Sequence, residues 1–540
     1  MTKPDRPVLQ RPWVPWLLGV LLMLAVGALQ QEWLAANALP NGHQNEYLHV
    51  GNALDLWQAW AAHDWGTFGE LLQGNYWPPG FYLWPWPLFR VFGASHWAMV
   101  TANMGHLALL LAVVFLLGRD LGSRRGGLFA MVGVVLLPTV TGNLMRYEPS
   151  VALTAWVTLG AWALLRSRSF KDWRFSLLFG VLFALGLMMD RLSVFLFLSI
   201  PALVELGFGL RDPEGRSRRL AIAAGVIALM LLTVGPWHLD FVEFHLHEVT
   251  SQSNIGEIDS AGTLTEKRSW TSWTTWAWYG LAVLDGQAGI WLGLALFAGL
   301  GWSLTKLKTL RLPVVVIASS LLIFTLILKK QAFYSLPMLG CWVVLACIAL
   351  DRVRFGPWVA LGLALVGGVQ LSDRVWGTEM NLPGASIPAL PERWVTPRHP
   401  MALPPARGQH IPAQALLAEL QGAQRVVVFG EDHDWYEGYV VLGLREGLKA
   451  SVHGVIGDPQ GAMEFVGAAD HVVVIRESPD AADWPSQAEL YALLAEHHYS
   501  QEEVALLVAA FGSARQGYER VGEVPWPEGR VVVWGRPPSD

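Results

Sequence analysis

Charged residues are scarce in this sequence. Only 15% of its 540 residues are Asp, Glu, Lys or Arg, whereas 53% are hydrophobic. Soluble globular domains carry charged residues at roughly 25%. The shortage excludes an ordinary soluble protein and indicates a chain that lies largely within a membrane.

Cysteines and long basic runs are also nearly absent. The two cysteines, Cys341 and Cys347, fall in one apolar run. This placement excludes a disulfide framework and favours small buried hydrophobes. The formal net charge of -6 and the lack of a long basic run exclude a nucleic-acid-binding protein.

Apolar runs of membrane-spanning length are abundant instead. A transmembrane helix needs about 17 to 25 mostly apolar residues, and we count about eleven such runs. They recur from Val14 to about Leu371. The first run follows a basic flank but lacks a clear small-residue cleavage site, so we interpret it as a retained helix and not as a signal peptide.

Lysine and arginine cluster in every second connection between these runs. Because cytoplasmic loops are enriched in Lys and Arg, the alternation predicts a cytoplasmic N-terminus and, after an odd number of crossings, an external C-terminus. The clustered residues are Lys3, Arg6 and Arg11, then Arg119, Arg124 and Arg125, then Arg166, Arg168, Lys171 and Arg174, then Arg211, Arg216, Arg218 and Arg219, then Lys306, Lys308 and Arg311, and finally Arg352 and Arg354.

Three segments are therefore expected outside the membrane: a large first loop over residues 30–95, a second loop over 237–285, and the tail. The tail begins with a proline-rich linker, "NLPGASIPALPERWVTPRHPMALPPARGQHIP", which separates two domains. Beyond it, "RVVVFG", "HVVVIRE" and "RVVVWG" alternate with helical patterns such as "SQAELYALLAEHHY" and "EEVALLVAAFG". The sequence thus predicts a polytopic α-helical membrane domain over residues 1–372, a linker over 373–411 and a small extracytoplasmic α/β domain over 412–540.

Most of the apolar runs carry no charge at mid-membrane depth. An ion-coupled transporter usually needs such groups for its binding site or proton relay. His106 is the main polar exception, and a lone helix histidine is most often a packing residue. The pattern disfavours a transporter.

Positive residues in the short external loops are few, and several have acidic neighbours. Examples are "NLMRYEPS", with Arg146 and Glu148, and "MMDRLS", with Asp190 and Arg191. Cations at such a rim suit a phosphate-bearing lipid head group, because Lys and Arg neutralise and hydrogen-bond phosphate oxygens. The alternative is that these side chains only snorkel from helix ends. The remaining cations of the rim are Lys267, Arg268, Lys329 and Lys330.

The first external loop offers a candidate general base. Glu46 follows the first apolar run by about seventeen residues, close enough to lie over the rim and deprotonate an acceptor hydroxyl or amine. The alternative is a solvated loop carboxylate. Asp55 is a weaker candidate, because nine residues is not an in-phase helical spacing. Later in the loop, "NYWPPGFYLWPWPLFRVFG" combines paired prolines with aromatics and predicts a structured, membrane-hugging segment.

The order of these motifs resembles the membrane glycosyltransferases of the GT-C fold, especially the branch that includes dolichyl-phosphate-mannose protein mannosyltransferases and aminoarabinose transferases. "NEY" at Asn45 resembles the family's early acidic motif, with Glu46 retained and asparagine in the first acidic position. "WPPGFYLWPWPLFRVFG" and "RYEPSVALTAWVTLGAWALL" resemble the next two motifs. "LKKQAFYSLPMLGCWVVLACIAL" resembles the last one, through Lys329, Lys330, Tyr334 and Pro337.

The resemblance covers roughly the first 370 residues. It implies transfer of a sugar from a polyprenyl-phosphate donor to a lipid, glycan or protein acceptor of the cell envelope, with inversion, on the external face of a bacterial inner membrane. Glu46 is then the base, and Lys329, Lys330, Arg191 and Arg146 bind the donor phosphate. Asp55, Glu148, Asp190 and Tyr334 are supporting candidates. Because asparagine stands at position 45, the base role depends on Glu46.

No metal or other cofactor is assigned. "HLDFVEFHLHEV" from His238 contains His245 and His247 beside Glu243 and Glu248, but it lacks a decisive ligand spacing. We interpret it as an interfacial amphipathic segment, and a divalent metal site is the alternative. Two other functions stay open, a transporter or flippase of a lipid-linked sugar and a membrane-anchored binding protein.

Overall fold

The computed structural model describes residues 11–36, 44–74, 77–190, 193–241, 273–327, 332–376, 413–430, 451–454, 466, 468–476, 483–484, 486–488, 501–526 and 529–537. The chain forms two compact units. The first comprises Met1–Glu32, Ala53–Ala94 and Ala98–Pro404. The second comprises Trp33–Asn52, Ser95–Trp97 and Pro405–Asp540.

Helices dominate residues 11–376. They are α1 (Val14–Ala36), α2 (Gln44–Ala61), α3 (Trp65–Gly74), α4 (Gly80–Leu83), α5 (Trp86–Phe92), α6 (His96–Leu121), α7 (Arg124–Val135), α8 (Pro138–Leu144), α9 (Ser150–Arg166), α10 (Trp173–Leu187), α11 (Ser193–Gly209), α12 (Arg216–Thr233), α13 (Gly235–Asp240), α14 (Trp273–Ala282), α15 (Ile290–Leu304), α16 (Leu307–Leu326), α17 (Leu339–Arg352) and α18 (Gly356–Trp376). A π-helical turn, Val283–Gln287, precedes α15, and a 3₁₀ segment, Ala332–Met338, precedes α17.

Several of these helices are long and apolar enough to cross a membrane. Within the described residues, four pass by length and composition, or up to six if each of two bent pairs forms one span. Four shorter apolar helices accompany them, Ser150–Arg166, Trp173–Leu187, Ile290–Leu304 and Gly356–Leu371. The chain is therefore a membrane protein, and the count of about eleven spans stays a prediction.

The loops that carry the clustered arginines meet at one end of the helix bundle. Arg124, at the start of α7, donates to the carbonyl of Arg11, just before α1. Ser123 and Arg125 both hydrogen-bond to Asp351, near the end of α17. Three stretches that are far apart in sequence thus lie at the same end.

The same end extends to α9, α11 and α16. Asp120 accepts a 3.0 Å hydrogen bond from Trp162 Nε1, one turn before the end of α9. Arg311 makes two 2.7 Å hydrogen bonds to the two oxygens of Glu205, which in turn accepts from Ser169 at 2.6 Å. We call this end, from Arg11 to the Glu205–Arg311 pair, the basic face. Its composition is the one that the alternation of charged loops predicts.

A matching set of connections lies at the opposite end of the bundle. The helix α9 has 17 residues, so its start lies about 25 Å from the basic face. The α8–α9 connection, with Arg146 and Glu148, and the α10–α11 connection, with Asp190, are therefore at this far end. The 3₁₀ segment that carries Tyr334 packs against α9. We call this end the distal end.

Five strands in the second unit form one mixed sheet. They are β1 (Arg425–Gly430), β2 (Ser451–Gly454), β3 (His471–Arg476), β4 (Glu519–Trp526) and β5 (Gly529–Gly535), in the order β2-β1-β3-β5-β4. The first three are parallel, and β5 is antiparallel to both β3 and β4. The three valine-rich runs are strands, as their composition predicts.

Both faces of this sheet are covered, which explains the unbroken valine runs. On one face, Val427, Val472 and Val532 pack with Phe511 of the helix α20 (Gln501–Ala514). On the other face, Val426, Val473 and Val533 pack with Leu416 of the helix α19 (Ala413–Glu419). The pattern "EEVALLVAAFG" is thus helical, whereas most of "SQAELYALLAEHHY" lies outside the described residues. The boundary at residue 412 and the extracytoplasmic placement stay predictions.

The orientation of the chain in the membrane can be tested with two single cysteines. Ser217, beside the basic face, and Gln516, between α20 and β4, are both exposed, and the native cysteines are buried. We expect an impermeant maleimide to label Gln516→Cys in intact cells and Ser217→Cys only after permeabilisation, because basic loops are retained in the cytoplasm. Labelling in the reverse order would contradict the orientation.

Candidate active site

Two of the family-like motifs are in direct contact at the distal end. Phe81, in "WPPGFY", stacks on Tyr147, in "RYEPS", with ring centroids 4.5 Å apart and 20° between the ring planes. The hydroxyl of Tyr147 donates a 2.9 Å hydrogen bond to the carbonyl of Phe81. Burial, and secondarily the neighbouring Tyr82, raises the pKa of Tyr147 well above its ordinary value, so the phenol keeps the proton that it donates.

The segment that leads to Asp190 also lies against the first of these motifs, at Gly80 of "WPPGFY". A Cβ atom placed on Gly80 would lie 2.4 Å from the carbonyl oxygen of Met188, two residues before Asp190. Only a residue without a side chain permits that approach. Three motifs separated by tens of residues in the sequence thus converge within the first unit.

This convergence predicts the effect of adding one methyl group. Gly80→Ala should destabilise the protein by about 1–3 kcal/mol, because the new methyl group meets backbone and not a flexible side chain. Gly69→Ala is the matched control, since a Cβ at Gly69 meets nothing within 4 Å. Thermal melts of the purified variants in detergent measure both changes, and equal melting temperatures for Gly80→Ala and Gly69→Ala would refute the convergence.

The distal end holds charged side chains in buried positions. Arg146 is completely buried, Glu148 is 3% exposed and Asp190 is 7% exposed. Snorkelling places a charged group in water, so burial excludes that interpretation for Arg146. The carbonyl of Arg146 accepts a hydrogen bond from Asn103 Nδ2, and Asp190 Oδ2 accepts one from Ser193 at 2.5 Å. These contacts fix the two connections on either side of α9 and α10.

Tyr334 belongs to an aromatic cluster in the first unit. Its ring stacks on Phe324 at 5.5 Å, and Phe324 also lies 5.2 Å from Phe197 and 6.1 Å from Tyr279. Next to it, Gln287 Nε2 donates a 2.7 Å hydrogen bond to Ser335. The first two residues of the "Y-x-x-P" motif are therefore both held by side-chain contacts, Tyr334 by Phe324 and Ser335 by Gln287.

Five cations of the proposed rim lie outside the described residues. Arg191, Lys329 and Lys330, all assigned to donor phosphate, lie outside the described residues. Lys267, Arg268 and the histidine- and glutamate-rich segment after Phe241 also lie outside them. Among the residues that the structure does describe, no group of three or more His, Cys, Asp or Glu side chains could hold a metal ion.

Glu46 occupies the first turn of α2, in the second unit. Its side chain is completely buried, so the interpretation as a solvated loop carboxylate is wrong. One carboxylate oxygen, Oε1, lies 3.0 Å from Nε2 of His96, which is 2% exposed and also belongs to the second unit. Burying a carboxylate is costly unless it is paired and hydrogen-bonded, and this histidine supplies such a partner.

Asp55 lies on the same helix as Glu46. Nine residues turn an α-helix through about 900°, which is two and a half turns, so the two side chains leave α2 from opposite sides. Asp55 is half-buried. Asp55 and Glu46 therefore do not share a face of α2, as their spacing predicts.

Sequence reasoning missed His96. It lies fifty residues after Glu46, in a stretch without periodicity or charge clustering that would single it out. His106, which the sequence did single out, packs as expected. Its ring stacks on Trp84 at 4.3 Å, and neither of its nitrogens has a hydrogen-bond partner in the described part of the chain.

Comparison with known proteins agrees with the resemblance noted in the motifs. A family model described as dolichyl-phosphate-mannose-protein mannosyltransferase matches residues 77–238. This range includes the "WPPGFY" and "RYEPS" motifs and Asp190, and it is less than a third of the chain. No curated protein matches the chain.

Solved structures match over nearly the whole length. The chain is similar to ArnT from Cupriavidus metallidurans bound to undecaprenyl phosphate, with a TM-score of 0.58, 13% identity, and coverage of 97% of this chain and 98% of that one. The apo structure of the same protein gives a TM-score of 0.56 and 15% identity, with coverage of 95% and 97%. The mycobacterial arabinofuranosyltransferase AftD gives 0.45 and 15%, with coverage of 96% of this chain and 40% of that one. The predicted resemblance to GT-C fold membrane glycosyltransferases is confirmed at the level of the fold.

Proposed function

We propose that this chain is an integral-membrane glycosyltransferase. It transfers a sugar from a polyprenyl-phosphate donor to a lipid, glycan or protein acceptor of the cell envelope, on the external face of a bacterial inner membrane. The observation that carries the proposal is the convergence of Phe81, Tyr147 and the backbone beside Asp190 at the distal end. The ArnT structure that shares this fold has undecaprenyl phosphate bound, which supports the donor class.

In the proposed reaction, Glu46 accepts a proton from the acceptor hydroxyl or amine as the freed lone pair attacks the anomeric carbon. The bond between that carbon and the phosphate oxygen breaks, and the electron pair leaves with the polyprenyl phosphate. The configuration at the anomeric carbon inverts. A phosphate leaving group needs no proton, so only electrostatic stabilisation is required at that side.

The donor phosphate is assigned to Lys329, Lys330, Arg191 and Arg146. Charge-assisted hydrogen bonds to phosphate are among the stronger polar contacts in proteins. Of the four cations, Arg146 is described, and its burial favours a role other than helix-end solvation. Glu148, Asp190 and Tyr334, the supporting candidates, belong to the connections at the distal end.

A deletion strain tests this function in cells. We expect its envelope to accumulate the polyprenyl-phosphate sugar on the external leaflet and to lack one glycan modification, both measured by mass spectrometry. Donor trapped on the cytoplasmic leaflet would identify a flippase instead. An unchanged set of lipids and glycans would favour a binding protein.

A further inference from the structure

We infer that the start of α10 binds an anionic phospholipid, with exposed cations around the phosphate and an apolar face of the helix along the acyl chains. The lipid belongs to the leaflet that adjoins the basic face, which is the cytoplasmic leaflet in the orientation predicted above. The inference does not depend on the proposed function, because this site lies at the opposite end of the bundle from the distal end and takes no part in sugar transfer.

Three exposed cations lie at the start of α10: Arg168, Lys171 and Arg174. None of them forms an ion pair with a carboxylate in the part of the chain that the structure describes. Asp172, the carboxylate between them, accepts a 3.0 Å hydrogen bond from the backbone N–H of Arg174 and caps the helix. The start of α10 therefore has a positive excess that an anion can neutralise.

The backbone of this connection is held in one conformation. Arg168, Ser169 and Phe170 follow one another in the left-handed region, with φ values of 53°, 57° and 62°. Residues other than glycine stay there only where surrounding contacts determine the backbone, and such positions cluster at ligand-binding sites. The Ser169 hydroxyl donates a 2.6 Å hydrogen bond to Glu205 and accepts one of 3.1 Å from Arg311. Phe170 is buried, so the cations extend from a fixed frame.

Next to these cations, α10 presents a row of exposed apolar side chains. The row repeats every four residues, which keeps it on one face of the helix. Trp173 begins the row, and the guanidinium carbon of Arg174 lies 5.8 Å from the centre of its ring. Tryptophan beside a cation is typical of the level of lipid headgroups, with apolar side chains facing the acyl chains. The members of the row are Trp173, Leu177, Val181 and Leu185, which are 39–51% exposed.

The start of α12 adds two exposed cations beside this site, Arg216 and Arg218. Arg219, in the first turn of α12, donates to the carbonyl of Gly209. A Cβ atom at Gly209 would lie 2.6 Å from the carbonyl oxygen of Ser169, so α12 begins next to the α9–α10 connection. Clusters of roughly four to eight Lys and Arg beside a membrane are typical of binding to anionic lipids. The two helix starts contribute three and two such residues.

The combination of cations and apolar row favours a lipid over a soluble phosphate. A soluble anion contacts the cations and leaves Trp173 and Leu177 exposed to water. A phospholipid places its phosphate among the cations and covers both side chains with its acyl chains, which is favourable because apolar surface is removed from water. The occupant that satisfies both parts of the site is therefore an anionic phospholipid.

Native mass spectrometry of the full-length protein in detergent tests the site. The protein is titrated with dioleoyl phosphatidylglycerol, which is anionic, and with dioleoyl phosphatidylcholine, which has the same acyl chains and no net charge. We expect Lys171→Gln/Arg174→Gln to weaken binding of the first phosphatidylglycerol molecule by about 25-fold, since each Lys or Arg at a membrane surface contributes about fivefold. Binding of phosphatidylcholine should change little.

Lys306→Gln/Lys308→Gln is the matched control, because it removes two positive charges from the basic face at the start of α16. It should leave the affinity for the first phosphatidylglycerol molecule unchanged. All four replaced side chains are exposed, and thermal melts of both double variants verify that they fold like the wild type.

Two further measurements identify the source of the phosphate. Trp173→Ala/Leu177→Ala keeps the cations and should weaken the binding of both lipids. Inorganic phosphate in large excess should not displace phosphatidylglycerol, because it cannot cover the apolar row. Displacement by inorganic phosphate would show a site for soluble anions and would overturn the lipid assignment. Equal affinities of the wild type for the two lipids, or equal losses from Lys171→Gln/Arg174→Gln and the control pair, would overturn the site itself.

Discussion

Replacing Glu46 by glutamine is expected to slow sugar transfer by about 10²- to 10⁴-fold, the usual contribution of a general base. Glutamine nearly preserves the shape of the side chain and can still accept from His96 through its carbonyl oxygen, but it cannot take up a proton at neutral pH. The loss should therefore appear in the single-turnover rate, while donor affinity stays near that of the wild type.

Asp55→Asn is the matched control for this change. It removes a second carboxylate from α2, on the side of the helix opposite Glu46, and should have a much smaller effect. Near-normal transfer by Glu46→Gln would remove Glu46 from the base role. Attention would then move to Asp55, Glu148 or Asp190, and the fold would be unaffected.

Removing Lys329 and Lys330 is expected to weaken donor binding as well as transfer. A hydrogen bond to a charged group is worth about 1.5–3 kcal/mol, which corresponds to a loss of roughly 10- to 150-fold in donor affinity for each lysine. The double variant should be worse than either single one. Titration of the reconstituted variants with a polyprenyl-phosphate sugar measures the affinity directly.

Lys306→Ala and Lys308→Ala provide the control, because both lysines are exposed and lie at the start of α16, next to Arg311 of the basic face. They should leave donor affinity unchanged. Equal losses from both pairs would show a general dependence on positive charge and would contradict a phosphate site at the distal end.

Parts of this architecture could be predicted from the sequence because their signals are local or periodic. Apolar length predicts membrane helices, and the alternation of charged loops predicts that Arg11, Arg124 and Arg311 lie at one end. The valine runs at Arg425, His471 and Arg530 predict strands. The order of the motifs indicated the fold that the solved structures share.

Other parts depend on long-range packing that no local pattern encodes. The burial of Glu46 requires a partner fifty residues away, and a single histidine among fifteen carries no signal of that role. The strand order places β5 between β3 and β4, which periodicity cannot reveal. The burial of Arg146 likewise depends on long-range packing, such as the hydrogen bond from Asn103 to its carbonyl. Its sequence position alone is equally typical of a side chain that snorkels from a helix end.

The most direct test of the proposed function is the chemical fate of the donor. Purified wild-type protein, reconstituted in vesicles with a polyprenyl-phosphate sugar and envelope acceptors, should release one polyprenyl phosphate for each sugar that appears on an acceptor. Mass spectrometry of both products measures this ratio, and Glu46→Gln should suppress both together. Movement of intact donor between leaflets, with neither product formed, would contradict the account.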